Sequence, residues 1–539
     1  NYTRKNRLVG MQKRFFVIVF AWIVLFYWGV FAQEKISLPH NFSKAVEHMQ
    51  YDRLGNEKGK ISVKIIDRNT LHVKLTFSLD QLLRQDDWQL TLKPAFTPSF
   101  HWSPHLSPTD NHVIDQHVFR SPALIVADKA QVLALIPDLN IMQRGTPVRW
   151  YLDLNAGTNT LTIGMSDSRV TDHVLFERIE GAEYPNGKVE IGFYLLHYVD
   201  EACLINPFRK PLDFIWTNWG RKAYRTGNPI EGDLEPYIQH TYDWAFKNWE
   251  ESVWQEFEIG GQKVGAPAFI VNVTQSPNYA GEVNEREFRS VWNQAWFSSL
   301  RSASGLYRYA RRTGSEVLME KAQLTKELAL SFPQVNGFFY GLIGTEMHEV
   351  EIDGRKYNRS KGWDTHYWGN SNRNPYTWNP RESPFHILDM SWTGLLMLRW
   401  YDELEKDVRL LDFAENYAKS LLKTQYPNGF FPAWLSLDRL EPMEHLNDSP
   451  ETSLSVTFLL KLHELTGKQE YKEAALKAMD AVTREVIPTG RWEDFETYWS
   501  CSRYGSQDLV GKKVLRNNMH KQNNFSMFWT AEALYECYR

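Results

Sequence analysis

The chain has 539 residues, more than one ordinary domain holds, so two domains are expected. Its formal net charge is −4 and it has no long basic run, which excludes the electrostatic footprint of a nucleic-acid binder. Three cysteines (Cys203, Cys501, Cys537) are too few for a disulfide framework and leave at least one unpaired within the chain; with no CxxC and no HExxH, no structural metal and no cofactor are expected.

Residues 11–32 read as a secretory signal. Met11 is followed by Lys13 and Arg14, then an apolar run over 15–28, then Val30-Phe31-Ala32 as a small-residue cleavage site. Residues 1–10 then lie upstream of the true start. The run is short for a membrane span, which needs about 20 residues; an N-terminal anchor is the competing reading. A secreted or periplasmic bacterial protein is expected, with no stable membrane insertion once the signal is removed.

Residues 33–205 read as β. Alternating runs at 61–79, 88–94, 123–137, 148–154, 159–165 and 189–199, with turn residues between them, predict an antiparallel β-sandwich. The segment FHWSPHLSPTDNHVIDQHVFRSPAL interrupts them with His101, His105, His112 and His117. A metal cluster is conceivable, but a long ordered loop with hydrogen-bonded histidines is favoured, one that can reach the second domain. Residues 206–234, rich in Pro, Gly and Trp, are taken as a linker. A helix over 236–254 with Pro in its first turn follows, then a hairpin around Gly260-Gly261.

From about Glu285 the chain repeats a helical hairpin that ends in a Gly-aromatic turn. The copies run from SSLRSASGLYRYARRTG to NGFF, from SWTGLLMLRWYDELEKD to NGFF, and from TSLSVTFLLKLHELTG to TGRW. Gly429 lies 61 residues before Gly490, as Leu404 does before Leu465, and Gly337 and Gly314 lie 153 before Gly490 and Gly467. Two landmarks keeping one offset imply stacked supersecondary units. The first helix of each pair is the more apolar and the second the more charged, which fits inner and outer rings of an (α/α)-toroid. Inner helices should start at one rim with Asp389, Glu451 and Asn523. A long insertion occupies 345–386, and the last stretch, NFSMFWTAEALYECYR, matches only the first helix of a further copy.

On the repeat, the NGFF and TGRW turns, ETS at a helix start and above all GRWEDFETYWSCS (490–502), residues 235–539 resemble the six-hairpin glycosidase-like superfamily. In these secreted bacterial proteins an (α/α)-toroid often follows an N-terminal β-sandwich. The resemblance implies carbohydrate chemistry, by hydrolases or, on a related toroid, by lyases and epimerases. It also implies six hairpins; about four and a half are visible, so the chain is expected to continue past Arg539.

Glycoside hydrolysis ordinarily needs two carboxyl groups, one of them protonated. Glu451, after Asp448-Ser449-Pro450, stands at an inner helix start; capping competes equally there, and is favoured for Asp389 at the equivalent place. In 490–502, Glu493, Asp494 and Glu496 alternate with Trp492, Phe495, Tyr498 and Trp499. A rim loop is expected, where acids among aromatics have the raised pKa of a general acid. An extended backbone would put Asp494 and Glu496 on one side; pairing with Arg491 or Arg503 is the alternative. Asp364, His366 and Trp368 in the insertion suit a lid or subsite wall. Trp434 and Trp492 suit sugar platforms. Asn293, Trp296 and Arg301 begin an inner helix, where Arg301 could pair with a uronate. The reading is a glycoside hydrolase acting on plant or algal polysaccharide, uronate-containing chains included, through Glu451 and one of Asp494 or Glu496. A lyase using His366 with Tyr367, or His240 with Tyr242, and a non-catalytic glycan binder are the alternatives.

Overall fold

The computed structural model describes residues 33–53, 59–79, 82–84, 88–104, 114–115, 122–143, 149–165, 167–171, 175–179, 183–184, 187–227, 232–293, 297–499 and 510–539. The signal-like segment, His105, His112, His117, Trp296, Cys501 and Arg503 lie outside the described residues. No described helix is long and apolar enough to cross a membrane.

The first half is two six-stranded antiparallel sheets. With strands β1 (Gln33–Lys35), β2 (Val46–Asp52), β3 (Lys60–Asp67), β4 (Thr70–Leu79), β5 (Gln89–Pro94), β6 (Phe100–Trp102), β7 (Ile114–Asp115), β8 (Leu124–Ala127), β9 (Val132–Pro137), β10 (Trp150–Asn155), β11 (Thr160–Met165) and β12 (Gly187–Tyr198), the orders are β1-β2-β5-β11-β10-β7 and β3-β4-β12-β9-β8-β6. Period-two alternation selects the inner face. On β4, Leu71, Val73, Leu75 and Phe77 are buried, and they share one apolar cluster with Leu90, Leu92, Leu161 and Ile163 of the other sheet. The runs LIVA of β8 and VLALIP of β9 do not alternate because both their faces are covered. The second cover comes from residues 206–234: this stretch, expected as a linker, is helical over 209–226, and Phe208, Phe214 and Trp219 pack on Tyr194 and Trp102.

The helix expected from 236 runs as Glu235–Asp243, Trp244–Asn248 and Glu250–Val253, and the hairpin Trp254–Ile259/Gln262–Pro267 turns at Gly260-Gly261 as its spacing predicts. The repeated hairpins are α1 (Ser299–Thr313) with α2 (Glu316–Ser331), α3 (Ile387–Glu403) with α4 (Val408–Leu421), and α5 (Thr452–Thr466) with α6 (Gln469–Glu485); α7 (Phe495–Trp499) and α8 (Asn524–Tyr538) follow. The first copy starts at Ser299 and not near 285, because Ser290–Trp292 is a strand paired with Leu342–Thr345. α1, α3, α5 and α8 pack in succession as an inner row, with α2, α4 and α6 behind them. The inner helices α3 and α5 are buried nearly all round, while α4 and α6 keep one apolar face. Hydroxyl pairs let the inner helices approach closely: Ser391 with Ser455 and Ser453 with Thr530, each at 2.8 Å.

The turn glycines explain why the repeat is a repeat. Gly337 and Gly429 have φ of +89° and +108°. A Cβ on Gly337 would come 2.7 Å from the Asn416 carbonyl of α4, and one on Gly429 would come 2.6 Å from the Lys477 carbonyl of α6. Each turn therefore leans on the outer helix of the next hairpin, so the Gly-aromatic turn is the contact that joins one unit to its successor. The insertion, expected as a loop, is largely β: Met347–Ile352 pairs with Arg355–Ser360 across Asp353-Gly354, and His366–Gly369 pairs with Leu342–Thr345.

The two halves meet where the His-rich segment begins. His101 and Ser103 contact Asn518 and Met519, at 3.1 Å in each case, and Arg516 forms a two-point pair with Asp153.

Candidate active site

α3 and α5 begin side by side, and each is preceded by an ionisable residue at its cap. The short ladder Phe385↔Leu435 and His386↔Trp434 fixes His386 at the start of α3, and Glu451 stands at the N-cap position of α5 without capping it. One helical turn on from His386, Asp389 Oδ2 accepts from its Nδ1 at 3.0 Å, and Glu451 Oε2 accepts from its Nε2 at 3.2 Å. Trp434 stacks on the imidazole, centroids 4.7 Å apart and planes within 10°. Burial alone would lower the imidazole pKa, but Asp389 and Glu451 together outweigh it and push it up to about 10. His386 is thus an imidazolium at neutral pH, donating from both ring nitrogens to acids at the starts of adjacent inner helices. The other oxygen of Glu451 accepts the Phe495 N–H at 2.7 Å, which ties α7 to the same cluster.

The segment 490–502 differs from the expectation. Its described part is the short helix α7 and not an extended strand, and it is buried instead of forming an open rim loop: Glu493 and Asp494 are 0% exposed and Glu496 is 2%. The reason is a reciprocal cap. Asp494 Oδ1 accepts from the Thr497 N–H at 3.0 Å and from its hydroxyl at 3.2 Å, while Thr497 Oγ1 accepts the Asp494 N–H at 3.1 Å. With about 100° per residue, Asp494 and Glu496 do not share a side by alternation. Glu493 is satisfied by Arg491, the Tyr498 hydroxyl and the Gly511 N–H, so the Arg491 pairing belongs to it. Glu496 pairs instead with Arg373 at 2.8 Å. Asp494 differs from both: its Oδ2 is buried without a hydrogen-bond partner among the described residues. Burial, reinforced by the charges of Glu451 and Glu496, pushes its pKa well above the usual carboxylate range.

Beside this cluster lies a small cavity of about 10 Å³, room for about one water, lined by Arg373, Asn374, Pro375, Trp434, His445, Phe495 and Tyr498. Two of its lining residues touch the cluster: Arg373 reaches Glu496, and Trp434 covers His386. His445, pushed down to about 4 by burial, presents a neutral imidazole. The Arg373 guanidinium also lies over the Phe297 ring, 4.6 Å from its centroid.

The structure thus brings Glu451, Asp389, Asp494, Glu496 and Trp434 into one neighbourhood. Trp492 is placed elsewhere, in a second cavity between the two halves, with Trp102, Phe208 and His520. Arg301 is exposed in the first turn of α1, and Asp364 is exposed in a 3₁₀ turn. His366 Nδ1 is held by the Trp363 carbonyl at 2.9 Å, and Trp368 packs on Phe332. None of these four lines the cavity beside the acids. Nor do the lyase dyads: Tyr367 lies under the Arg381 guanidinium, and Tyr242 stacks on Tyr309. Sequence reasoning missed His386, Arg373 and His445. The spacing His386-x-x-Asp389 at a helix start was a readable signal for the first; Arg373 lies in an irregular stretch, where periodicity gives no signal.

No protein-family model and no curated protein matches the chain. Among solved structures it is similar to the GH76 α-mannanase of Bacteroides thetaiotaomicron, at 11% identity and TM-score 0.31, covering 56% of this chain and 63% of that one. It is also similar to the unsaturated glucuronyl hydrolase of Bacillus sp. GL1, which degrades glycosaminoglycan, at 12% and 0.34, covering 57% and 70%. A third is a polysaccharide lyase, at 10% and 0.24, covering 83% and 58%. The chain therefore spans less than two thirds of the mannanase, and overlap this loose fixes neither chemistry nor substrate.

Proposed function

We propose that the chain is a secreted glycoside hydrolase, an N-terminal β-sandwich followed by hairpins of an (α/α)-toroid, acting on plant or algal polysaccharide, uronate-containing chains included. The observation that carries this reading is Asp494: a fully buried carboxyl whose Oδ2 has no partner among the described residues and whose pKa is raised by burial and by Glu451 and Glu496, beside a small aromatic-walled cavity. Environments that push neighbouring acids apart in pKa are how one site supplies both an acid and a base. Asp494 Oδ2 gives its proton to the departing glycosidic oxygen. Glu496, paired with Arg373 at the cavity wall, serves as base or nucleophile. Glu451 and the His386 imidazolium hold the cluster in place and keep negative charge beside Asp494. Trp434 and Tyr498 supply the cavity's apolar lining.

Removing a general acid or base costs about 10²- to 10⁴-fold in rate. Glu496→Gln is expected to lose reducing-sugar release by that factor with an unchanged circular dichroism spectrum, and Glu451→Gln to lose less. Full activity in both variants would overturn the assignment.

A further inference from the structure

The outer face of the sheet β1-β2-β5-β11-β10-β7 carries a groove that shares no residue with the acid cluster. Its strands turn Leu90, Leu152, Leu161 and Ile163 inward. Period two then sets Gln89, Thr91, Tyr151, Asp153, Asn155 and Thr162 along the opposite face, where they line a solvent-open groove of about 360 Å³. That size falls within the roughly 300–1,000 Å³ of ligand sites.

The groove is built, not incidental. Its floor is the Tyr151 ring, which lies across Gly164; a Cβ there would sit 2.4 Å from the ring, so only glycine leaves it room. One wall comes from the helical half: Arg516 reaches Asp153 at 3.0 and 2.5 Å, and its carbonyl accepts the Ala156 N–H at 2.5 Å. Thr162 is only 7% exposed, yet its hydroxyl, like that of Thr91, makes no hydrogen bond among the described residues. Trp88 borders the groove but is in step with Leu90 and belongs to the core, where it packs on Phe77. Hydroxyls that both donate and accept, each beside a methyl, together with amides and a flat phenol ring, match the alternating hydroxyl and C–H surface of a sugar chain. Asp153 and Arg516 neutralise each other, so the groove carries no net charge to attract a polyanion.

We propose that this groove binds a stretch of neutral polysaccharide, as a non-catalytic site independent of the acid cluster. The test is affinity electrophoresis of the full chain in native gels containing a neutral polymer (β-glucan, xylan or mannan) or an acidic one (polygalacturonate or alginate). Retardation by at least one neutral polymer is expected. The apparent association constant should fall at least tenfold in Tyr151→Ala and severalfold in Thr162→Val, which keeps the side-chain shape. Asp494→Asn should be retarded like the parent chain, which separates this site from the hydrolytic reading. No retardation by any neutral polymer, retardation in acidic gels alone, parent-like retardation in Thr162→Val, or its loss in Asp494→Asn would each overturn the proposal.

Discussion

Replacing Gly429 by alanine tests the joint between successive hairpins. The substitution meets two costs. A φ of +108° is one that L side chains rarely adopt, and holding a non-glycine residue in such a region costs about 1–3 kcal/mol. The added Cβ would also sit 2.6 Å from the Lys477 carbonyl and 3.0 Å from Ala481 Cβ. A backbone carbonyl inside a helix cannot rotate away, so the turn or α6 must move, an overpacking cost of about 1–3 kcal/mol. Gly467 is an internal control: its φ is +72°, but nothing lies within 4 Å of a Cβ built on it, so Gly467→Ala meets only the conformational cost of about 1–2 kcal/mol. Gly429→Ala should therefore destabilise the helical half by about 1–3 kcal/mol more than Gly467→Ala. Differential scanning calorimetry reads this as a lower unfolding midpoint in Gly429→Ala than in Gly467→Ala. Equal midpoints for the two variants would refute the claim that the turn is shaped by the next outer helix.

The His386 triad predicts a pH dependence. Its folded pKa, about 10, is raised above the ordinary value near 6.5, so its contribution is fully present below pH ~6.5 and is lost as pH rises through about 10. Thermal midpoints should fall across that window, and the slope should flatten in His386→Gln. That variant should also be less stable at pH 7 by about 3–5 kcal/mol, the range for breaking a buried pair, because two buried carboxylates lose their cation. Arg516→Ala removes both hydrogen bonds to Asp153 and should split a shared calorimetric transition into separate ones for the two halves; an unchanged single transition would mean that the apolar contacts around Met519 hold the interface alone.

The helical half was legible because its signals are local and repeated. Thr313-Gly314 and Thr466-Gly467 do end helices, with Gly314 and Gly467 in the left-handed region. The β half was legible from period two, which failed most completely at β8 and β9, where the helical stretch over 209–226 covers the second face. The insertion held a hairpin signal that was passed over: Asp353-Gly354, both with positive φ, between two alternating runs. At the candidate site, Asp494 and Thr497 have the spacing of a helix cap, and that local rule prevailed over the alternation that suggested a strand. His386 was hard to see because its two partners are split: Asp389 is one turn away, but Glu451 is 65 residues on and meets it only through the stacking of hairpins. The acids were read correctly as lying among aromatics, but the depth of their burial depends on tertiary packing, which no local pattern encodes.

The most direct test of the central claim is the product formed from a polysaccharide panel by the parent chain and by Asp494→Asn, followed by reducing-end assay and by ultraviolet absorbance together. Hydrolysis with Asp494 as the acid predicts new reducing ends with no absorbance from a conjugated double bond, and their loss by a factor of about 10²–10⁴ in the variant. An absorbing, unsaturated product, or undiminished release by Asp494→Asn, would contradict it.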